Sequence, residues 1–137
     1  MKLSLIELFS GIGAQLRGLQ NTGLFEITSV ATSEVDKDAM LSYAVIHCSL
    51  SNQTIREYKN YPSRQEMIMY LNERRIGYDF EKCKSYDWGK LLGVELKKYY
   101  LACILSKNLG DISRIEHLPY ADLVTYSFPC TDISVSG

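Results

Sequence analysis

Paired cysteines, clustered histidines and long apolar runs are all missing from this sequence. The four cysteines stand far apart and form no C-x-x-C pair, which argues against a zinc site and is too sparse for a disulfide scaffold. The two histidines, His47 and His117, have no metal-ligand partners at a useful spacing. We therefore predict no metal site, and free thiols in a reducing compartment.

The first apolar run, LSLIELF at residues 3–9, is too short for a signal sequence or a membrane span, and no other run approaches membrane length. The net charge of −1 gives the chain as a whole no pull towards nucleic acid or a membrane surface. With 137 residues, three prolines and 46% hydrophobic residues, the composition is that of one compact domain. We expect a soluble, cytoplasmic protein with no membrane partner.

What is present is an alternation of strand and helix patterns. Residues 3–9 are typical of a buried parallel strand, and a glycine turn leads from them into a helical pattern over residues 14–20. The β-branched stretch 25–34 predicts a second strand, after which Asp36 can cap another helix. Residues 121–128 predict a further strand. This order predicts an α/β fold with a parallel sheet and right-handed crossovers.

Residues 51–107 break the alternation, and we interpret them as a helical insertion into the α/β domain. Within them, PSRQEMIMYLNERRIG carries a capping box, Ser63 with Glu66, and predicts a helix that ends at Gly77. The stretch VELKKYYLACILSKN predicts a second helix. One partial domain over residues 1–137, carrying this insertion, is the predicted organisation.

The insertion differs from the rest of the chain in charge and in aromatic content. It holds eleven Lys or Arg against seven Asp or Glu, a net charge of +4, whereas the remainder carries −5. Seven of the ten tyrosines and the only tryptophan also fall within it. A basic, aromatic lobe can hold a phosphate backbone and stack on bases. The alternative is that the tyrosines pack the lobe and the lysines are merely solvated.

The segment LFSGIG places a glycine turn between the first strand and the first helix. Such a turn brings backbone N–H groups close to a cofactor. Glu34 ends the second strand about 20 residues later, where an acid can hydrogen-bond ribose hydroxyls. A dinucleotide-binding fingerprint needs a third glycine where this sequence has Leu16. Taken alone, the segment also fits a tight turn in any α/β protein.

Two later segments, GDIS and FPCTDISVSG, fall where the carboxyl ends of parallel strands would meet. Asp111 of the first can accept a hydrogen bond from an adenine amino group, and it can equally cap a turn. In the second, Pro129 stiffens the loop that holds Cys130. An exposed cysteine biased towards thiolate can act as a nucleophile. Cys48 and Cys103 fall in helical patterns, and we expect both to be inert.

In this order the segments resemble the amino-terminal part of the cytosine-C5 DNA methyltransferase family, as far as its P-C catalytic loop. FSGIG resembles the family's cofactor loop, and SEVDKDA resembles the segment whose acid holds the ribose of S-adenosylmethionine. GDI resembles the adenine-contacting segment. The resemblance implies a partial Rossmann-like S-adenosylmethionine-dependent methyltransferase fold, with Pro129 and Cys130 as catalytic residues. It also implies nine cofactor-binding residues: Phe9, Ser10, Gly11, Ile12, Gly13, Glu34, Val35, Asp111 and Ile112.

The resemblance also implies a reaction and its partners. The Cys130 thiolate would attack C6 of a cytosine flipped out of double-stranded DNA. C5 would then take the methyl group of S-adenosylmethionine, leaving S-adenosylhomocysteine, after which the C5 proton and the thiolate leave.

The chain departs from the family pattern in several places. Thr131 and Ile133 stand where much of the family has glutamine and phenylalanine, and the insertion is longer than in compact members. No E-N-V segment, whose glutamate assists the attack, occurs in the sequence. We therefore expect a fragment, a truncated product or one piece of a split enzyme. Such a chain would be inactive alone and would need a carboxyl-terminal half or partner subunit with the recognition domain.

Two other hypotheses remain. The chain could be a non-catalytic module that binds S-adenosylmethionine, or one that binds DNA through its basic lobe, including Lys97 and Lys98. A nicotinamide-dependent oxidoreductase fits poorly, because the third glycine is missing and FPCTDIS would have no role.

Overall fold

Three parallel strands form the sheet in the computed structural model, which describes residues 1–127. Strand β1 (Lys2–Leu8) lies in the centre, with β2 (Glu26–Ser33) on one side and β3 (Leu123–Tyr126) on the other. Both strand pairs are parallel. Four of the seven residues of β1 are apolar, and four of the eight residues of β2 are β-branched, which favours buried parallel strands. The prediction of an α/β, partial Rossmann-like fold is confirmed.

Two helices follow the first two strands, as the alternation predicts. Helix α1 (Ala14–Asn21) buries Leu16, which packs with Leu5 of β1. Helix α2 (Lys37–His47) begins at Asp36, whose side chain accepts hydrogen bonds from the N–H groups of Asp38 and Ala39 at 2.9 and 3.1 Å. The predicted cap is therefore present. Leu16, the residue that departs from a dinucleotide fingerprint, fixes α1 on the sheet.

The middle of the chain contains three helices, α3 (Asn52–Glu57), α4 (Arg64–Glu73) and α5 (Gly93–Leu105). The predicted capping box is present at the start of α4, where Ser63 and Glu66 bond to each other's backbone N–H. The prediction that this helix continues to Gly77 is wrong. It ends at Glu73, because Arg75 and Gly77 take left-handed φ values of 55° and 77°.

The middle segment shares its core with α2. Trp88, Leu96 and Leu101 are buried together with Met40 and Ala44 of α2. Tyr99 and Tyr100 are buried in the same core, and four more tyrosines of the segment pack against it: Tyr58, Tyr61, Tyr70 and Tyr86. For these six tyrosines the packing alternative holds, because their rings lie in this core or pack against it.

The chain returns to the sheet directly after α5. The Thr32 N–H donates to the carbonyl of Lys107 at 3.1 Å, and the Leu109 N–H donates to the carbonyl of Thr32 at 2.8 Å. These bonds make a parallel bridge between Thr32 and Asn108. The GDIS segment is thereby placed beside the carboxyl end of β2.

Burial keeps the thiols of Cys48 and Cys103 in their protonated form. Cys103 is fully buried, which raises the pKa of its thiol to about 12, and burial also raises the pKa of Cys48. Both cysteines are therefore poor nucleophiles.

Within residues 1–127, no helix combines the length and apolarity that crossing a bilayer requires. The same residues hold no group of three or more His, Cys, Asp or Glu that could bind a metal ion.

Candidate cofactor cleft

A cleft of about 380 Å³ opens at the carboxyl ends of β1 and β2. In open parallel sheets this edge is where ligands bind, because loops there diverge to opposite faces. Five of the nine predicted cofactor residues line it: Phe9, Glu34, Val35, Asp111 and Ile112. Ser33, Phe80, Gly110 and Ser127 complete the lining.

Glu34 lines this cleft, and its carboxylate already accepts two backbone hydrogen bonds. Its Oε2 accepts a hydrogen bond from the N–H of Gly11 at 2.8 Å, and its Oε1 accepts one from the N–H of Asp36 at 2.9 Å. A carboxylate has about four lone-pair sites. Both oxygens of Glu34 therefore keep acceptor capacity for further donors, while the two backbone bonds fix the orientation of the group.

The two glycines of the loop after β1 have different surroundings. Gly11 has a φ of 53° and open space where a Cβ would be, so its backbone is accessible. At Gly13, by contrast, a Cβ would lie 2.3 Å from Nε2 of His47, which also lies 3.0 Å from the carbonyl oxygen of Ile12. Ser10 is tied back by its N–H to the carbonyl of Ser33 at 3.1 Å. Ser10, Gly11, Ile12 and Gly13 do not line the cleft, and Gly13 serves the packing of α2.

Asn108 holds the two sides of the cleft together. Its Oδ1 accepts hydrogen bonds from the N–H groups of Glu34 at 3.1 Å and Gly110 at 2.8 Å, and its Nδ2 donates to the carbonyl of Glu34 at 2.8 Å. Ser33 adds a bond from its hydroxyl to the carbonyl of Gly110 at 2.7 Å. The position of Glu34 relative to GDIS is therefore set by a buried amide.

Asp111 both caps a turn and lines the cleft. Its Oδ1 accepts hydrogen bonds from the N–H and the hydroxyl of Ser113, both at 2.9 Å, at the start of a short 3₁₀ turn. Its Oδ2 lies 3.3 Å from Nη1 of Arg75. The capping alternative is thus present in the structure, and Arg75, which follows α4, pairs with the aspartate of the predicted adenine-contacting segment.

Pro129 and Cys130 lie outside the described residues. Ser127, which follows β3, lines the cleft two residues before Pro129. The end of β3 therefore lies at this cleft.

The chain matches one family model and several known proteins. The family model for C-5 cytosine-specific DNA methylases matches residues 3–70, which contain the glycine loop and Glu34. The chain is 38% identical to Type II methyltransferase M2.ScrFI of Lactococcus lactis subsp. cremoris over 98% of its length, which is 37% of that relative. It is 37% identical to Orphan methyltransferase M.SssI of Spiroplasma monobiae over 99% of its length, 36% of the relative.

The chain is similar to C-5 cytosine-specific DNA methylases over its first half, and to these two methyltransferases over nearly all of its length. The predicted resemblance is confirmed. The chain spans somewhat more than a third of the length of these two relatives.

Three residues of the site were not predicted from the sequence, because contacts between distant parts of the chain bring them to it. Asn108 bonds to Glu34 across 74 positions, and Arg75 pairs with Asp111 across 36. Phe80 enters the cleft from a polar stretch of the insertion. Among these three, Asn108 alone has a local sequence signal, because it stands two residues before a glycine, Gly110. That spacing does not identify Glu34 as its hydrogen-bond partner.

Proposed function

We propose that this chain is the S-adenosylmethionine-binding and nucleophile-bearing part of a DNA cytosine-C5 methyltransferase. The observation that carries the proposal is the cleft itself. Residues from three separate motifs, Phe9, Glu34 and Asp111, lie around one space of about 380 Å³. The similarity to C-5 cytosine-specific DNA methylases supports the reaction class, and the geometry supports the cofactor.

The residues of the cleft fit the adenosine part of S-adenosylmethionine. Glu34 offers acceptor capacity for the two ribose hydroxyls, with its orientation fixed by Gly11 and Asp36. Val35 and Ile112 provide apolar walls beside it. When bound, S-adenosylmethionine supplies an electrophilic methyl group.

Cys130 is proposed as the nucleophile that activates cytosine. Its thiolate would bond to C6 of the flipped base, making C5 nucleophilic, and would leave when C5 loses its proton. Pro129 would restrict the loop that carries it. Double-stranded DNA is the proposed substrate, and we propose that methyl transfer also requires the remaining two-thirds that the relatives carry.

Calorimetric titration with S-adenosylhomocysteine tests the cofactor proposal, with NAD as the control ligand. We expect selective binding of S-adenosylhomocysteine. Glu34→Ala should weaken it at least tenfold, about 1.4 kcal/mol, because hydrogen bonds to a charged group are lost. Glu57→Ala, on α3 outside the cleft, should leave the affinity unchanged. Equal affinity in the wild type and Glu34→Ala would contradict the proposed site.

Trapping on 5-fluorocytosine DNA tests the role of Cys130. The chain is assayed alone and together with the carboxyl-terminal part of a relative, because the chain covers somewhat more than a third of the relatives' length. We expect a denaturation-resistant adduct only in the combined sample, and its loss in Cys130→Ser but not in Cys83→Ser. An adduct that persists in Cys130→Ser would exclude this nucleophile.

DNA binding by the insertion is a second candidate function, favoured by one groove. This groove of about 560 Å³ is lined by Arg56 and Lys97 together with Tyr58 and Tyr61. Lys98, the neighbouring cation, is instead paired with Glu95 at 3.1 Å. Salt-dependent DNA affinity should therefore fall more in Lys97→Gln than in Lys98→Gln. Equal losses, or none, would argue against the groove.

A further inference from the structure

Phe80 is an exposed aromatic ring on the wall of the cleft. Its side chain belongs to the middle segment, outside the part of the chain that matches the family model, and 52% of it is accessible to solvent. Trp88 and Tyr99 of the same segment are buried in the core. The exposed ring of Phe80 is an apolar surface in the cleft, and a planar ligand that packs on it would remove that surface from water.

The loop that carries Phe80 is held in shape by its own hydrogen bonds. The backbones of Asp79 and Lys84 bond to each other in both directions, at 2.8 and 3.0 Å. The Asp79 carboxylate also accepts bonds from the N–H groups of Glu81 and Lys82, both at 3.0 Å. The loop therefore presents Phe80 from a closed turn.

The same loop is anchored to both motifs of the cleft. The Gly77 N–H donates to the carbonyl of Val35 at 2.7 Å, next to Glu34. Three residues earlier, the carbonyl of Arg74 accepts a bond from the N–H of Asp111 at 2.9 Å. The end of α4 thus bridges the ribose-side and adenine-side segments, and Phe80 follows directly from that bridge.

Two neighbouring side chains, Tyr78 and Arg75, lie close to the Phe80 ring. The ring of Tyr78 meets it edge-on, with centroids 4.9 Å apart and an interplanar angle of 70°. The Arg75 guanidinium lies 4.7 Å from the Tyr78 centroid and 5.9 Å from that of Phe80, while its Nη1 pairs with Asp111. The orientation of Phe80 is thereby linked to the carboxylate proposed to contact the base.

We propose that Phe80 is a specificity-determining residue that stacks on the purine base of the bound cofactor. This proposal rests on the proposed function, because it takes S-adenosylmethionine as the ligand of the cleft. Glu34 binds the ribose and Asp111 lies on the base side, so the base occupies the part of the cleft that Phe80 borders. The middle segment thus contributes to cofactor recognition.

The test compares two ligands by calorimetry on the 137-residue chain: S-adenosylhomocysteine, and S-ribosylhomocysteine, which lacks the base. Phe80→Ala should weaken S-adenosylhomocysteine binding about tenfold, as loss of one stacked base predicts, and should leave S-ribosylhomocysteine binding unchanged. Phe80→Trp should restore the affinity. Tyr120→Ala removes an aromatic side chain that is 85% exposed and does not line the cleft, and it should affect neither ligand.

The outcomes separate this proposal from the one on which it rests. Wild-type binding of S-adenosylhomocysteine that Phe80→Ala does not change would overturn the stacking role and leave the proposed function standing. An equal loss for both ligands would also overturn it, because the effect would then not involve the base. No binding by the wild type would overturn both proposals.

Discussion

Glu7 is an acidic residue that is fully buried in the sheet. It lies in the central strand β1 with none of its surface exposed, and the Tyr43 hydroxyl donates to its Oε2. Burial raises the pKa of the Glu7 carboxyl above its usual 4.5, and hydrogen bonds from Tyr43 and the backbone of Leu16 offset part of that rise. Its protonated form is therefore favoured by folding.

Glu7→Gln should gain stability relative to the wild type as the pH rises. Because the folded protein holds this proton more tightly than the unfolded chain, the Glu7 contribution to the free energy of unfolding falls as pH rises from 4.5 through the folded pKa. Each unit of elevation corresponds to about 1.4 kcal/mol. Urea unfolding of both proteins from pH 4.5 to about 8 measures the difference. A difference that stays constant with pH would contradict a raised pKa.

Asn108→Ala should destabilise the protein and weaken cofactor binding together. The substitution leaves the N–H groups of Glu34 and Gly110 and the carbonyl of Glu34 without this partner in a site where Asn108 is 2% exposed. Unsatisfied buried groups of this kind cost about 2 to 4 kcal/mol together. Urea unfolding and S-adenosylhomocysteine titration measure the two effects. Asn60→Ala, at an exposed asparagine, serves as the control and should change neither by more than about 0.5 kcal/mol.

At the scale of elements, the end of α4 is docked against the GDIS segment through a glycine. Gly110 has a φ of 82°, and a Cβ there would lie 2.1 Å from the carbonyl oxygen of Arg74. That carbonyl accepts the hydrogen bond from Asp111. The close approach of these two segments therefore requires glycine at this position.

Gly110→Ala and Gly18→Ala should shift stability in opposite directions. Gly110→Ala forces a side chain against backbone at positive φ, and we expect a loss of about 2 kcal/mol or more, with weaker cofactor binding. Gly18 lies within α1, and a Cβ at this position would have no neighbouring atom within 4 Å, so alanine there should stabilise by about 0.5 to 1 kcal/mol. Thermal unfolding measures both. A neutral Gly110→Ala would contradict the docking described.

Local sequence signals predicted most of the elements, and long-range contacts decided the rest. The strands β1 and β2, the Asp36 cap and the Ser63–Glu66 capping box were all predicted from adjacent residues. Helix α3 was missed because its capping box uses Thr54 where the usual pattern has Glu or Gln. The end of α4 was misplaced because Arg75 adopts a left-handed φ that no local residue type demands.

The same distinction applies to the cleft. Five lining residues follow from motifs at strand ends, where parallel topology brings them together. The contributions of Asn108, Arg75 and Phe80 depend on how the middle segment folds back on the sheet, and the sequence pattern carries no signal for that path. The four glycine-loop residues that do not line the cleft show that a motif locates a site without assigning each residue to it.

At the scale of the whole molecule, the middle segment and the α/β part form a continuous structure. Helix α5 packs along α2, and Trp88 is 1% exposed within their common core. A segment that shares its core in this way cannot unfold without exposing the buried face of α2. We therefore expect a single cooperative transition.

Trp88 fluorescence and far-ultraviolet circular dichroism should report the same unfolding midpoint in urea. Leu96→Ala, at a fully buried position of α5, should lower both midpoints equally, with a loss of about 2 to 5 kcal/mol. Leu92→Ala, at a side chain that is 78% exposed, is the matched control and should lower neither. A fluorescence transition at lower urea than the dichroism transition would show that the middle segment unfolds independently.

The central claim is that S-adenosylmethionine binds where the glycine loop, Glu34 and GDIS meet, and backbone-amide NMR tests it most directly. On titration with S-adenosylhomocysteine, the account predicts shifts of the amide signals of Gly11, Glu34, Gly77 and Asp111, with those of Asn52 and Lys97 in the distant groove unchanged. Shifts confined to the groove, or no shifts at the four cleft amides at saturating ligand, would contradict it.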